Sequence, residues 1–318
     1  MNYKQVYPNP PHIRVLGILN YGLQKQRKVK NCFITCKGKR DGAGAQIQAV
    51  MSSILFSRYF GITYVHTPFS NIAHNPDKET QWEEKWESFA NLGANETCVD
   101  QISSAGLKKV NRTYPETIWK TDGHLFIVKH CHAFADQEPD RYNLIIDELI
   151  ARYEAKPKKI PIFGNPSSFN IAVHLRRGDV TIDNKESFRY SPNDYSVRVV
   201  KQVLSVLRGL GISATVHVYS QGRNSDFADF EPLRVSLHIN ESPFVTFHNL
   251  VKADMLIMAK SSFSYAPALL SRGVKIYEPF WHAPLSHWIT TDVDKGVDEV
   301  ALKKSIEKYV SSARYIPH

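Results

Sequence analysis

The stretch "IAVHLRRGDV", residues 171–180, carries the strongest signal for the fold of the second half of the chain. Its first five residues are typical of a buried strand, and Arg176 and Arg177 follow them almost without a break. Because a planar guanidinium can bind phosphate or carboxylate through two parallel hydrogen bonds, an arginine pair at a strand tip suits an anionic ligand. We therefore predict a strand whose carboxyl end faces an anion.

The segments around this strand alternate between strand and helix patterns. Strands are predicted at 170–175, 215–220, 235–239, 255–259 and 274–278, and helices at 193–211, 244–253, 260–273 and 297–313. Ser191–Pro192 and Ser242–Pro243 are typical helix starts, since serine caps a helix and proline fits its first turn. Repeated strand–helix units with short loops predict an open parallel α/β sheet.

The first half begins with a strand at 32–36 and the glycine-rich loop "GKRDGAGA". From Gln46 the apolar residues recur at helical spacing, Gly61 ends that helix, and a strand follows at 62–66. Beyond it we predict helix and loop over 76–125, a strand at 125–130 and a helix at 140–156. The proline-rich segment 156–169 is typical of a linker.

We therefore predict two α/β domains, residues 1–165 and residues 166–318. A chain of 318 residues suits two domains of ordinary size. Both are expected to be Rossmann-like parallel-sheet domains around a cleft.

The charge of the chain favours an anionic partner. Lys and Arg exceed Asp and Glu by nine, and the densest basic segment, residues 25–40, is expected to be a solvated face that steers a small anion. No nucleic-acid-binding motif occurs, so nucleic acid is not the expected partner. The four cysteines fit no zinc spacing and are expected to be free thiols, which favours a reducing compartment. Without a signal peptide or a run of about 18 apolar residues, we expect a cytoplasmic protein.

The polar groups that follow the predicted strands form a candidate ligand site. Ligands of open parallel sheets bind at the carboxyl ends of the strands, where Arg176, Ser261 and Ser262 are expected. A helix start adds free N–H groups for an anion, and such a set suits a diphosphate. Each feature has a structural alternative: the arginines as a salt-bridged turn, the serines as an ordinary helix cap, and His174 as a core histidine.

Several motifs carry a resemblance to a known family. "HLRRGD" (174–179) resembles the first motif of the α1,2-, α1,6- and protein O-fucosyltransferase superfamily, and "ADMLIMAKSSFSYAPALL" (253–270) resembles its third. "YSQGRNSD" (219–226) stands at the place of the second motif with a weaker match, and "DGAGAQIQAV" (41–50) resembles the N-terminal glycine-rich loop. The motifs occur in the family's order across most of the chain.

The resemblance implies a GT-B-like glycosyltransferase with a GDP-sugar donor, inversion at the anomeric carbon and no metal. Arg176 would contact the β-phosphate and the glycosidic oxygen, with Arg177 supporting the phosphates. The remaining donor-binding residues would be His174, Gly42, Gly44, Ser261, Ser262 and Phe263. The partners would be a sugar nucleotide and a glycan acceptor, and no cofactor is expected.

Two departures from the family pattern leave alternatives open. The family's acid beyond the motif arginine corresponds to Asn184, so the general base is left between Asp183 and Glu186. The helix before the third motif lacks the family's acidic residue for guanine, so donors such as UDP-xylose or GDP-rhamnose stay possible. A transferase of another sugar, or a non-catalytic nucleotide- or glycan-binding module, are the alternative functions.

Overall fold

The computed structural model describes residues 28–75, 78–102, 106–165 and 167–312, which form two compact units. The first unit holds the described chain up to Lys158 together with the segment Trp281–Ala283. The second holds Lys159–Phe280 and the described chain from Pro284 onward. The predicted domain boundary between residues 165 and 166 stays a prediction. Residue 166 and residues 25–27 of the predicted basic face lie outside the described residues.

The first unit is a four-stranded parallel sheet with order β2-β1-β4-β3. Its strands are β1 (Cys32–Cys36), β2 (Thr63–Tyr64), β3 (Lys108–Arg112) and β4 (His124–Val128). Its helices are α1 (Ala43–Phe60), α2 (Trp82–Ala90), α3 (His132–Gln137) and α4 (Ile146–Glu154), with 3-10 turns at Val99–Gln101, Pro115–Thr117 and Pro139–Leu144.

Helix α1 differs from the prediction at its start. Gly42 is the N-cap in an extended conformation, so Ala43 and Gly44 lie in the first helical turn rather than in a loop. The predicted stop is confirmed, because Gly61 has a φ of 62°, in the left-handed region that glycine adopts without steric cost. Nearly all of α1 is buried, so the helix forms the centre of the first unit.

Three other predictions for the first unit need correction. Segment 76–125 contains the strand β3, which its sequence "KKVNR" hides because edge strands carry many polar residues. The predicted strand 62–66 is reduced to β2, and the predicted helix 140–156 is split into a 3-10 turn and α4. For the two strands, the pairing partner rather than the local pattern sets the element.

The second unit is a six-stranded parallel sheet with order β10-β9-β8-β5-β6-β7. Its strands are β5 (Phe169–His174), β6 (Ala214–Ser220), β7 (Ser236–Ile239), β8 (Met255–Ile257), β9 (Val274–Tyr277) and β10 (Ile289–Thr290). Its helices are α5 (Asn193–Gly209), α6 (Pro243–Lys252), α7 (Ser262–Leu270) and α8 (Glu299–Val310), with 3-10 turns at Ser187–Arg189 and Asn224–Leu233.

Strand β5 lies in the middle of this sheet and explains why the unit folds around it. Phe169, Ile171 and Val173 point into one hydrophobic core and are fully buried. The strand pairs with β6 on one side and with β8 on the other. A strand covered on both faces and both edges needs the continuous apolar run that its sequence shows.

The starts of two helices differ from the prediction in their capping: the N-cap of α5 lies one residue later than predicted, and that of α6 lies where it was predicted. Pro192 and Ser242 are the N-cap residues of α5 and α6, and neither helix start has a side-chain cap hydrogen bond. The Ser191 hydroxyl donates instead to the Glu278 carboxylate. Ser191 therefore ties the loop before α5 to the end of β9.

The predicted α/β fold with a parallel sheet is present in each of the two units. The four cysteines, all within the described residues, form no disulfide, and Cys32, Cys36 and Cys131 are buried. No helix within the described ranges is both long and apolar enough to cross a bilayer.

Candidate functional site

The order of the second sheet places a crevice beside β5. From β5 the chain continues to β6 and β7 on one side, whereas β8, β9 and β10 fill the other side. At such a switch point the loops after two neighbouring strands leave in opposite directions, and ligands bind between them. Arg176 and Arg177 follow β5, and Ser261 and Ser262 follow β8. The sheet therefore brings the two predicted halves of the site to neighbouring strand ends.

A hydrogen bond between His174 and Ser264 joins these two strand ends. The Nδ1 atom of His174, the last residue of β5, lies 2.5 Å from the Ser264 Oγ in α7. The same hydroxyl oxygen accepts the Ala259 N–H at 3.1 Å, so its own hydrogen is available to donate to Nδ1. A neutral imidazole that accepts at Nδ1 carries its proton on Nε2. His174 can therefore offer an Nε2–H donor at the edge of the sheet.

His174 is neutral at physiological pH. Burial, together with the neighbouring cations of Arg176 and Arg177, lowers its pKa from 6.5 to about 3. The ring also lies beside Phe263, with 5.7 Å between the ring centroids. These surroundings suit a fixed hydrogen-bond donor and exclude His174 as a proton carrier near neutral pH.

The two adjacent arginines have different surroundings. Arg176 forms an ion pair with Asp179 and a long contact of 3.4 Å from its Nη1 to the Gln221 Oε1. Its Nε is buried without a hydrogen-bond partner in the described structure. Burial lowers the pKa of Arg176 while Asp179 raises it, and an arginine keeps its charge in either case. Because the Nη1 contact to Gln221 is long, this nitrogen, rather than the buried Nε, can donate to an anion.

Arg177 is bound by its own loop. Its Nη2 donates to the Ser191 carbonyl at 2.8 Å and to the Asn193 Oδ1 at 2.9 Å. Its guanidinium also lies over the Tyr190 ring, 3.9 Å from the centroid. Arg177 therefore holds the loop between β5 and α5 in place, and its predicted contact with a phosphate stays a prediction.

The start of α7 separates the roles of the two predicted serines. Ser261 is the N-cap, and its Oγ accepts the Phe263 N–H at 3.1 Å, which is the ordinary capping arrangement. The hydroxyl of Ser262, the first helical residue, makes no hydrogen bond in the described part of the chain. Of the two hydroxyls, that of Ser262 is the one available to a ligand.

Neither candidate base forms a hydrogen bond or ion pair with Arg176 in the described structure, although the Glu186 carboxylate is near enough to raise the pKa of Arg176. Asp183 lies exposed in the loop after β5, and the Glu186 carboxylate pairs with Arg189 at 3.2 Å. Asn184, at the position of the family's acid, donates to the Asp179 carbonyl at 2.8 Å. Both Asp183 and Glu186 stay predictions.

Gly42 and Gly44 belong to the first unit, where they shape the start of α1. A Cβ on Gly42 would lie 3.1 Å from the His74 ring, and Gly42 forms an isolated bridge with Ala73. Gly44 is buried in the helix. Their predicted contact with a donor stays a prediction.

Three contacting residues were not predicted from the sequence. Ser264 contacts His174, Gln221 contacts Arg176, and Glu278 contacts Ser191. Ser264 stands inside the "SSFS" motif, so its presence was visible but its partner was not. The polar residues of α6 serve the fold: the Asn249 side chain accepts the Phe163 N–H at 2.9 Å and donates to the Pro161 carbonyl at 3.0 Å. The Asn249 amide is therefore occupied by backbone groups, and it does not take the place of the acidic residue that the family resemblance predicts in this helix.

One Asp-x-Asp sequence occurs, at Asp292–Val293–Asp294, a pattern that some metal-dependent transferases use. Here the Asp292 Oδ1 accepts the N–H groups of Asp294 and Lys295, both at 2.9 Å, and so closes a turn after β10. Among the described residues no three His, Cys, Asp or Glu side chains are placed to hold a metal ion. The motif is accounted for as a turn.

The chain is similar to several solved fucosyltransferase structures. It is 13% identical to a NodZ α-1,6-fucosyltransferase soaked with GDP-fucose, over 84% of this chain and 97% of that one, with a TM-score of 0.45. NodZ from Bradyrhizobium is 14% identical over 76% and 94%, with a TM-score of 0.39. A mutant FUT1 from Arabidopsis thaliana in complex with GDP is 10% identical over 93% and 79%, with a TM-score of 0.39. The sequence matches no family model and no curated protein.

The neutral state of buried His174 predicts a pH dependence of stability. Between its usual pKa of 6.5 and its folded pKa of about 3, the unfolded chain binds a proton that the folded chain does not. Stability is therefore lost as pH falls below 6.5. In His174→Asn the amide oxygen can still accept from Ser264. The free energy of unfolding is measured with urea at pH 7 and at pH 5. We expect its decrease between these two pH values to be smaller by about 2 kcal/mol in the variant than in the wild type. Equal losses in both proteins would contradict this.

Proposed function

We propose that the chain is a glycosyltransferase that transfers a sugar from a nucleoside diphosphate donor, L-fucose from GDP-fucose in the first instance, to a glycan acceptor. The observation that carries the proposal is Arg176: a charged, largely buried guanidinium with unused donor capacity at the β5–β8 crevice. The resemblance of "HLRRGD" and "KSSFSY" to fucosyltransferase motifs supports the same reading.

The chemistry needs groups that stabilise a departing nucleoside diphosphate. As the bond between the anomeric carbon and the phosphate oxygen breaks, negative charge grows on that oxygen. Arg176 and the start of α7, with the Ser262 hydroxyl, would meet this charge. The neutral His174 would donate its Nε2–H to the donor without changing protonation.

The acceptor side completes an inverting step. An acceptor hydroxyl attacks the anomeric carbon from the face opposite the leaving group, and its proton passes to a carboxylate. Asp183 or Glu186 would receive that proton, since both lie in the loop that follows the motif arginines. The new glycosidic bond, the released nucleoside diphosphate and the protonated carboxylate balance the reaction.

Donor turnover tests the proposal directly. The chain is incubated with GDP-fucose, GDP-rhamnose, GDP-mannose and UDP-xylose, and the released nucleoside diphosphate is measured with and without mixed glycans. We expect release from GDP-fucose. Release from another donor alone would replace the sugar and keep the reaction class. GDP binding without release from any donor would favour a non-catalytic nucleotide-binding module.

We also expect donor turnover to survive excess EDTA. Arg176 and the helix start of α7 supply the positive potential that a divalent cation supplies in other transferases. The assay compares turnover in EDTA with turnover after Mn²⁺ or Mg²⁺ is restored. Loss in EDTA with rescue by Mn²⁺ would contradict the arginine-centred mechanism.

A further inference from the structure

The first unit has a cleft of its own at the carboxyl edge of its sheet. From β1 the chain continues to β2 on one side, while β4 and β3 fill the other side, so the loops after β1 and β4 meet at a switch point. The cleft there has a volume of about 550 Å³. It is lined by Gly38, Lys39, Arg40, Asp41, Lys129 and His130.

The lining carries an excess of positive charge. Arg40 and Lys129 are exposed, come from different loops, and form no ion pair in the described part of the chain. Lys39 is neutralised by Asp41, with 2.6 Å between the Nζ and the carboxylate oxygen. Two cations are left over, one on each wall. Arg40 and Lys129 therefore line the same cleft from two different loops, and a lysine and an arginine so placed suit an oxyanion group.

His130, also in the lining, is kept neutral mainly by burial. Burial, together with Lys39, His282 and Lys129, lowers its pKa to about 4, while Asp41 acts in the opposite direction. His130 is therefore neutral at physiological pH and adds no charge of its own. Its ring can contribute a hydrogen bond or an apolar face to a ligand.

We propose that this cleft binds an acidic group of the acceptor, a carboxylate, sulfate or phosphate on a sugar, so that the acceptor is an acidic glycan. The inference rests on the proposed function, because a transferase has two substrates and the β5–β8 crevice supplies groups for the donor. The volume exceeds that of a lone oxyanion and falls in the range of small-molecule sites. A sugar residue can therefore enter together with its acidic group.

The test measures binding of matched acidic and neutral sugars to the full chain. Trigalacturonic acid is compared with galactotriose, and N-acetylglucosamine 6-sulfate with N-acetylglucosamine, by calorimetry at low salt. The variant Arg40→Gln/Lys129→Gln removes the two unpaired cations. Lys303→Gln/Lys304→Gln, on exposed positions of α8, removes the same charge elsewhere.

We expect the wild-type chain to prefer the acidic sugar of at least one pair, and the cleft variant to weaken that affinity at least tenfold. The α8 variant should change it less than twofold. Equal affinity for acidic and neutral sugars, or equal effects of the two variants, would overturn the proposal. GDP is titrated in parallel: a tenfold loss of GDP affinity in the cleft variant would assign the anion to the donor and also overturn it.

These outcomes are separate from failure of the proposed function. Donor turnover without acceptor does not depend on acidic sugars. A chain that releases nucleoside diphosphate but does not distinguish the paired sugars refutes only the acidic acceptor. A chain that binds acidic sugars through Arg40 and Lys129 but turns over no donor refutes only the transferase.

Discussion

Arg176→Lys is expected to reduce donor turnover by more than tenfold while the chain stays folded. Lysine keeps the positive charge and can still pair with Asp179, but it loses the planar fork that meets two phosphate oxygens at once. Tenfold corresponds to about 1.4 kcal/mol of transition-state stabilisation, and losing a donor at a developing charge commonly costs more. Turnover of the preferred donor measures the effect, and circular dichroism checks the fold.

The matched control is Arg208→Lys, an exposed arginine of α5 at which the same chemical change should have no effect on turnover. A variant at Arg176 that keeps more than a tenth of the wild-type rate would show that the guanidinium does not stabilise the leaving group. Arg177 offers no such comparison, because its hydrogen bonds hold the loop before α5 and their loss changes the fold locally.

Ser264→Ala is expected to lower the free energy of unfolding by about 2–4 kcal/mol, since it leaves two buried groups without a partner. The His174 Nδ1 loses its donor and the Ala259 N–H loses its acceptor. Ser264 is fully buried, so water does not readily replace the hydroxyl. Urea unfolding followed by fluorescence gives the difference.

Ser262→Ala serves as the control two residues away. Its hydroxyl makes no hydrogen bond in the described structure, so stability should change by less than about 0.5 kcal/mol. GDP affinity should fall by about 0.5–1.5 kcal/mol, the value of one neutral hydrogen bond. If Ser264→Ala were as stable as Ser262→Ala, the proposed link between β5 and α7 would be wrong. If Ser262→Ala bound GDP as wild type does, the hydroxyl would not contact the phosphates.

The parallel sheet of the second unit was predictable because its central strands, such as β5, β8 and β9, are buried on both faces. Strand β5 and the helices after it follow from runs of apolar residues that no exposed element would carry. β3 was not predictable from its own residues, since its edge position allows lysine and asparagine in a strand. Its existence depends on β4, which lies beside it in the sheet but later in the chain.

The positions of the candidate site residues in the fold were predictable from the sequence, but their hydrogen bonds were not. The motif arginines and serines were expected at neighbouring strand ends, where the structure has them. Two adjacent arginines look equivalent in the sequence. In the structure Arg176 has a nitrogen without a hydrogen-bond partner, whereas Arg177 donates to a carbonyl and stacks on Tyr190. That difference depends on the path of the loop back to α5, which is a tertiary property.

The hydrogen bonds of Arg177 also affect how tightly a ligand can bind. The guanidinium already holds the loop to the start of α5 through Ser191 and Asn193. A loop that is ordered before the ligand arrives loses little conformational entropy on binding, so more of the contact energy appears as affinity. The polar groups beside β5 are also oriented in advance, so the proposed transfer would need little reorganisation as negative charge grows on the leaving phosphate oxygen.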